Sequence, residues 1–277
     1  MTTNAEIIFQ DDEILVLFEN IFQKYAVDYR QYNLNHLRRR IIHRMSLSNY
    51  DSFEDFKIRL LSDSSFLQLF SQDLSIQVTE MFREPEFFVL LKKIVFTDLA
   101  KQPEIKVWIA GCSTGEEVYS LAILLLEENL WEKTRIIATD INEDALEIAS
   151  RGKYANSKLD LFKSNYSACS EKEFDDYFSF NESKIKIDPV FTRKIVFAHH
   201  NLVCDQFFKG IDLIICRNVM IYFNLNLQQS IVSKFFNSLN VNGYLCMSKQ
   251  EDIYDSNMRT RFLLLNQDAR IYKKKSE

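Results

Sequence analysis

Apolar residues recur every three or four positions through the first quarter of the chain, which is the spacing of amphipathic helices. The pattern predicts four helices, which begin behind Asp11, at Asn35, at Ser52 and at Ser65. Asp55 stands three residues after Ser52, in the position of a capping box. We therefore expect a small all-helical domain over residues 1–75.

From residue 76 onward, short apolar runs alternate with helical periodicity. Helices are predicted from Pro85 and after Gly115, Asn142 and Asn226, and two glycines occupy expected helix C-caps, namely Gly152 and Gly243. Strands are predicted over residues 106–110, 136–139, 195–198, 213–216, 244–247 and 269–272. Such alternation predicts an α/β domain over residues 76–277 with a doubly wound, mostly parallel sheet.

One interval is too long for a simple connection between a helix and a strand. Residues 154–193 carry a weak alternation of charged and apolar side chains, seen in Lys184, Ile185, Lys186 and Ile187. We predict an inserted subdomain at about 155–193 that is built on a small antiparallel sheet.

Composition excludes several classes of protein. The net charge of −5 argues against nucleic acid as the main ligand. The sequence shows neither a signal peptide nor an apolar stretch of the ~18 residues that a membrane span needs. The neighbours His199 and His200 would point to opposite faces of a strand, and no second ligand cluster accompanies them, so no metal site is predicted. We expect a cytoplasmic, monomeric protein that does not insert into a membrane.

The segment VWIAGCSTGEEVYSLA has the order strand, tight loop, helix. Gly111 and Gly115 would let backbone N–H groups approach a ligand, and Ser113 adds a hydroxyl. Glu116 and Glu117 follow at once, and two carboxylates would repel a pyrophosphate but suit a cation. The residues indicate a nucleoside that carries positive charge, and S-adenosyl-L-methionine is the candidate cofactor.

Polar side chains also follow two other predicted strands. Asp140 ends the second strand, where an acid commonly binds ribose hydroxyls; it could instead cap the next helix, although Asn142 is the better cap. Arg217 and Asn218 follow the fourth strand and would project over the ligand crevice. On their own they could equally be a surface arginine and a turn asparagine.

Three further features have both a functional and a structural interpretation. Asn201 and Leu202 suit contact with an adenine edge. Thr79 and Arg83 would share one helical face, which on the residues alone indicates an interdomain helix with a structural arginine. The acid-free stretch between residues 30 and 50 is either a solvated face or a docking surface for an anionic partner; it includes Arg38, Arg39, Arg40 and Arg44.

Taken together, these segments resemble the chemotaxis receptor methyltransferases, the CheR family. The resemblance rests on the basic helical N-terminus and on TEMFREPEFF, VWIAGCSTGEEVYSLA, ATDINEDALEIAS, HNL and DLIICRNVMIYFN. It implies transfer of a methyl group from S-adenosyl-L-methionine to glutamate side chains of receptor helices, with S-adenosyl-L-homocysteine as the other product. The implied cofactor site consists of Thr79, Arg83, Gly111, Ser113, Glu116 or Glu117, Asp140, Asn201, Leu202, Arg217 and Asn218.

The resemblance also implies roles outside the cofactor site. The basic helix would face the acidic methylation helices of the receptor, and in some family members the inserted subdomain docks a receptor tail. We expect Arg83 to orient the reacting carboxylate. Tyr222 lies beyond Arg217 and Asn218 in the sequence, and from that position it could either line the methyl pocket or belong to the core. No general base is needed, because a glutamate with a reference pKa of ~4.3 is already ionised at pH 7.

The chain departs from the family pattern at two places. Gln77 stands where relatives often have asparagine, and Lys249, Gln250 and Glu251 stand where relatives often have His-Ser-Glu. Two other functions remain open at this point. The chain could methylate another acceptor, such as a small molecule, or it could be a signalling adaptor that binds the cofactor and transfers nothing.

Overall fold

The computed structural model describes residues 9–74 and 79–276. The chain divides into two compact units. The first comprises Met1–Ile76 together with Ile221–Gln228, and the second comprises Gln77–Met220 together with Gln229–Glu277. Residue Gln77, one of the two departures from the family pattern, lies outside the described residues.

The first unit contains the four helices that the apolar spacing predicts. Ser52 caps the third helix by accepting a hydrogen bond from the Asp55 N–H at 3.3 Å, and Asn33 caps the second by accepting from two backbone N–H groups. The helices are α1 (Asp11–Tyr25), α2 (Leu34–Leu47), α3 (Phe53–Ser62) and α4 (Ser64–Leu74).

A segment from far along the chain completes this unit. Tyr32 and Phe223 form an antiparallel bridge, and their rings meet edge to face with centroids 5.1 Å apart. The Asn33 N–H donates to the Tyr222 carbonyl at 2.8 Å, directly at the start of α2. Sequence patterning did not predict this pairing, because its two strands are about 190 residues apart and each is only one or two residues long.

The second unit is built on a seven-stranded sheet and a separate three-stranded one. Its strands are β1 (Ile105–Ala110), β2 (Thr134–Asp140), β3 (Lys153–Ala155), β4 (Phe178–Phe180), β5 (Lys184–Ile187), β6 (Ile195–His199), β7 (Ile211–Ile215), β8 (Leu239–Cys246), β9 (Phe262–Asn266) and β10 (Ile271–Lys274). The large sheet has the order β6-β2-β1-β7-β8-β10-β9, and the small antiparallel sheet has the order β3-β5-β4. The predicted fold class and the inserted antiparallel sheet are both confirmed.

The large sheet is parallel from β6 to β8, and β10 and β9 close it antiparallel. Strands β1 and β7 are adjacent, although two further strands of the sheet separate them along the chain. This arrangement makes a topological switch point, and the carboxyl ends of β1 and β7 form the crevice where such sheets bind ligands.

Helices alternate with these strands. Those with residues in the second unit are α5 (Pro85–Leu91), α6 (Thr97–Leu99), α7 (Glu116–Glu127), α8 (Glu143–Arg151), α9 (Leu159–Ser167), α10 (Pro189–Thr192), α11 (Leu225–Ser238) and α12 (Ser256–Thr260). A π-helical turn joins α5 to α6, and α11 begins within the first unit. The β1 and β7 side chains at the centre are almost fully buried, which explains their nearly continuous apolar sequence.

The structure corrects two details of the predicted elements. Gly243 lies inside β8 and caps no helix; a Cβ there would stand 2.9 Å from the Asn240 carbonyl oxygen, so the position requires close backbone approach. The prediction also missed β9, because the run of three leucines from Leu263 has no period that distinguishes a strand. That strand forms by pairing with β10. Within residues 9–74 and 79–276, no helix has the length and apolar character needed to cross a bilayer.

A buried histidine in α2 makes the stability of the first unit depend on pH. His36 is 1% exposed, and its Nε2 lies 3.0 Å from the Leu74 carbonyl oxygen. Burial is the main reason that the pKa of His36 falls from 6.5 to about 4, with Arg40 and Arg39 adding to the effect. Between these values the unfolded chain takes up a proton that the folded chain does not. The free energy of unfolding should therefore decrease by up to about 1.4 kcal/mol for each pH unit lost in this window.

We expect His36→Gln to lose less thermal stability than the wild type when the pH falls from 7 to 5. The midpoint of thermal unfolding at the two pH values measures this difference. His43→Gln is the matched control, because His43 lies exposed on the same helix and its replacement should leave the pH dependence unchanged. Identical pH profiles for wild type and His36→Gln would contradict the assignment.

Candidate functional site

The loop after β1 turns sharply at the switch point of the sheet. Gly111 and Gly115 have φ values of 82° and 91°, and Ser113 between them has φ 49°. A Cβ on Gly111 would lie 2.3 Å from Val219 Cγ2, so the loop after β7 packs directly against this glycine. The buried Ser113 Oγ has no hydrogen-bond partner among the described residues. The loop thus combines close backbone packing with one unused hydroxyl.

Asp140 lies at the end of β2, beside this loop. Its Oδ2 accepts the Ser113 N–H at 2.8 Å and its Oδ1 accepts the Asn142 N–H at 3.0 Å. Asn142 caps α8 by accepting from the Ala145 N–H, which leaves Asp140 available for another role, as expected. Burial raises the pKa of the Asp140 carboxyl above its ordinary value, and the backbone hydrogen bonds oppose that rise.

The end of β6 lies next to Asp140, because the His200 N–H donates to the Asp140 carbonyl at 3.0 Å. His199 is exposed and His200 buried, as their alternation on a strand predicts. In the turn that follows, Asn201 Oδ1 accepts the Val203 N–H at 2.9 Å and the Asn201 N–H donates to Asp205. The structure therefore brings Asn201 and its buried neighbour Leu202 to the same edge of the sheet as Asp140.

The two carboxylates at the start of α7 have different surroundings. Glu116 is fully buried and accepts from the Thr114 hydroxyl at 2.6 Å and from Lys158 Nζ at 2.9 Å. Glu117 forms an ion pair with Arg217 at 2.5 Å, and its side chain keeps 17% of its surface exposed. Burial raises the pKa of Glu117, and Arg217 opposes the rise. Of the two, Glu117 is the carboxylate that a ligand could reach.

The segment that contains Thr79 and Arg83 is irregular, and the predicted helix through these residues is wrong. Phe82 and Glu84 have φ values of 54° and 58°, which no right-handed helix can accommodate, and α5 begins only at Pro85. The buried Phe82 anchors the segment, and its N–H donates to Ser120 Oγ at 2.8 Å. Left-handed residues thus flank Arg83 on both sides; such backbone strain is typical of functional sites.

Arg217 connects these segments. Its guanidinium pairs with Glu117 at 2.5 Å and with Glu84 at 2.9 Å, and it lies 4.0 Å from the centroid of the Phe87 ring. The side chain is 1% exposed, so the interpretation as a surface arginine is wrong. Asn218 follows with φ 59° and is half-buried. One cation therefore holds together the start of α5, the start of α7 and the end of β7.

These residues fit a charged nucleoside. Asp140 at the end of β2 offers carboxylate oxygens to hydroxyl groups, Ser113 offers an unused hydroxyl, and Glu117 offers negative charge to a cation. The glycine loop provides the close backbone approach that such a ligand needs.

Comparison with known proteins supports this interpretation. The family model for "CheR methyltransferase, all-alpha domain" matches residues 12–75, and that for "CheR methyltransferase, SAM binding domain" matches residues 77–270. The chain belongs to the CheR methyltransferase family. Its fold and its cofactor, S-adenosyl-L-methionine, follow from this membership, and so does its activity as a methyltransferase dependent on that cofactor.

Several relatives match this chain over most of their own length. A Pseudomonas putida protein named "Putative methyltransferase Cher3" is 38% identical over 265 residues, which span 95% of this chain and 97% of the relative. "Chemotaxis protein methyltransferase" of Listeria innocua is 31% identical over a region that spans 82% of this chain and 85% of the relative. The protein of the same name from Borreliella burgdorferi is 26% identical over a region that spans 90% of this chain and 91% of the relative. This CheR-family enzyme thus carries out methylation in chemotaxis.

The basic stretch of the first unit is only partly available for docking. Arg38 donates to the Phe9 carbonyl and pairs with Asp11 at 2.6 Å. Arg44 pairs with Asp73 through two hydrogen bonds of 2.5 and 2.6 Å, and both side chains are largely buried. Arg39 is exposed, whereas Arg40 is half-buried and its Nε is buried without a hydrogen-bond partner among the described residues.

Tyr222 belongs to the first unit of this CheR-family chain. Its ring lies 4.6 Å from the ring of His36, and its carbonyl accepts the Asn33 N–H. The assignment of Tyr222 to a methyl pocket stays a prediction.

Sequence reasoning missed three residues that organise the site. Glu84 pairs with Arg217, Lys158 of the inserted subdomain pairs with Glu116, and Glu251 binds the turn after β7. Glu251 had one sequence signal, since it is the residue of the His-Ser-Glu stretch that this chain retains. Lys249 and Gln250 are exposed in the segment after β8 that contains Glu251, and Lys249 lines a small cleft beside Arg217.

We expect Asp140→Asn to raise the dissociation constant of S-adenosyl-L-homocysteine by about tenfold or more, because one charged acceptor oxygen is lost. Isothermal titration calorimetry measures this constant without any methyl acceptor. Asp144→Asn removes the same charge from an exposed position on α8 and should change the constant by less than about twofold. Equal constants for the wild type and Asp140→Asn would exclude a direct role for this carboxylate.

Proposed function

We propose that this enzyme transfers the methyl group of S-adenosyl-L-methionine to glutamate side chains on the cytoplasmic helices of chemoreceptors, forming glutamyl methyl esters. The observation that carries the proposal is the charge of α2. The helix contains no acidic residue, and of its arginines Arg39 is exposed and Arg40 is half-buried. An acidic helix is the complementary partner for such a face. The relatives named "Chemotaxis protein methyltransferase" support the same acceptor class.

Two of the four arginines in the predicted docking surface already form ion pairs within the first unit, so the proposed docking surface is smaller than the sequence predicts. Arg38 and Arg44 already neutralise Asp11 and Asp73. Their removal would therefore affect the helical unit itself before it affected any partner. We assign docking to Arg39 and Arg40 and assign Arg38 and Arg44 to the stability of the first unit.

The chemistry asks little of the protein. When bound, the cofactor supplies a methyl group activated by a sulfonium, and a glutamate carboxylate with a reference pKa of about 4.3 needs no general base at pH 7. The task of the chain is to align the reacting atoms and to exclude water. In this proposal Asp140 holds the ribose, Glu117 the ammonium, and Arg83 orients the reacting carboxylate.

Other contacts complete the proposed site. Asn201 and Leu202 would border the adenine, and Thr79, Ser113 and Asn218 would contribute polar contacts around the cofactor. Each product ester has one negative charge fewer than its glutamate, which weakens attraction to a basic surface. The same arginines that capture an unmodified receptor would thus favour its release after methylation.

We expect the double variant Arg39→Ala/Arg40→Ala to raise the KM for a receptor cytoplasmic fragment about tenfold and to leave kcat nearly unchanged. The reason is that the lost contacts stabilise the bound receptor equally in the ground state and in the transition state. Transfer from tritiated S-adenosyl-L-methionine, scored as base-labile volatile methanol, measures both constants. Added salt should reduce the difference between wild type and variant, because exposed charges are screened.

Arg135→Ala/Arg151→Ala is the matched control. It removes the same charge from two exposed side chains of the second unit that already pair with acids. Its KM should equal that of the wild type. Cofactor binding without volatile label on the receptor would contradict the proposal and favour an adaptor. Label on a small-molecule acceptor, unaffected by the arginine substitutions, would indicate another substrate.

A further inference from the structure

Glu251 forms the densest set of hydrogen bonds around the site. Its Oε1 accepts the backbone N–H groups of Val219 at 2.9 Å and Met220 at 2.8 Å. Its Oε2 accepts the Asn218 N–H at 3.1 Å, and the Ser248 N–H and hydroxyl at 2.8 and 2.7 Å. Five donors thus converge on one carboxylate that is 1% exposed. A buried carboxylate is stabilised when several donors satisfy both of its oxygens.

The backbone groups that Glu251 holds belong to the turn after β7. Asn218 in this turn has a left-handed φ of 59°, and Val219 packs against Gly111 of the loop after β1. Arg217 lies immediately before the turn and carries the ion pairs with Glu84 and Glu117. Any movement of this turn would therefore displace both the glycine loop and the acidic start of α7.

We propose that Glu251 is a positioning residue for the cofactor: it fixes the turn at residues 218–220 and thereby sets the affinity for S-adenosyl-L-methionine. It does so through backbone N–H groups, so it need not touch the cofactor. The inference concerns cofactor binding alone and does not depend on which acceptor is methylated. It also explains why Lys249 and Gln250, which are exposed in the segment after β8, can differ from the usual residues without displacing the carboxylate.

Two neighbouring carboxylates allow a sharp comparison. The Asp252 side chain is also largely buried, but it accepts from Tyr272, from Arg270 and from the Ile253 N–H and pairs with Arg259, and no hydrogen bond or ion pair joins it to residues 217–220 in the part of the chain that the structure describes. Glu251→Gln places an amide N–H₂ against backbone donors, and Asp252→Asn makes the equivalent change one residue away. Both should lower the temperature of thermal unfolding.

Only Glu251→Gln should weaken cofactor binding. We expect it to raise the dissociation constant of S-adenosyl-L-homocysteine, measured by calorimetry well below the unfolding temperature, by about tenfold or more. Asp252→Asn should leave that constant within about twofold. Ser248→Ala removes one of the five hydrogen bonds and should raise it by roughly threefold.

The outcomes separate positioning from general stability. An unchanged constant in Glu251→Gln, or an equal rise in Glu251→Gln and Asp252→Asn, would overturn the proposal. If Glu251→Gln fails to fold, Ser248→Ala decides: a raised constant supports positioning, and a constant equal to that of the wild type overturns it. In turnover assays with any acceptor, the KM for the cofactor should rise more than kcat falls.

Discussion

The second unit depends on one buried guanidinium. Arg217 reaches two carboxylates, Glu84 and Glu117, from a side chain that is 1% exposed. Removing one member of a buried ion pair typically costs about 3–5 kcal/mol, because the remaining charge loses its partner and stays out of water. Since Glu84 lies just before α5, Glu117 in the first turn of α7 and Arg217 just after β7, the guanidinium must lie between the two carboxylates before these three segments can pack together.

A second set of contacts supports the first. Asp140 ties the glycine loop to β2, and Glu251 ties the turn after β7 to the segment that follows β8. In both cases a carboxylate accepts backbone N–H groups that the loop geometry leaves without strand partners. The site is therefore shaped mainly by acids that bind the main chain, while Glu116 and Lys158 link it to the inserted subdomain.

Local sequence patterns predicted much of the fold and part of the site. Helical spacing predicted α1–α4, and strand order placed Gly111, Asp140 and Arg217 at one edge of the sheet. Long-range partners were beyond such reasoning. The residues near Glu251 and Glu84 in the sequence do not indicate which groups these side chains bind, because hydrogen bonds to backbone groups depend on the path of the chain. The helix expected through Thr79 and Arg83 failed because burial of Phe82 outweighs helical propensity.

The short segment that joins the first unit from residue 221 onward has a consequence for modularity. Tyr222 packs against His36, and the buried Phe223 packs against Tyr32. A fragment cut at the end of α4 would expose both of these aromatic surfaces. The helical part is therefore not a self-contained cassette. Chimaeras that exchange the N-terminal helices between relatives should carry residues 221–228 with them, since the graft would otherwise lack part of its own core.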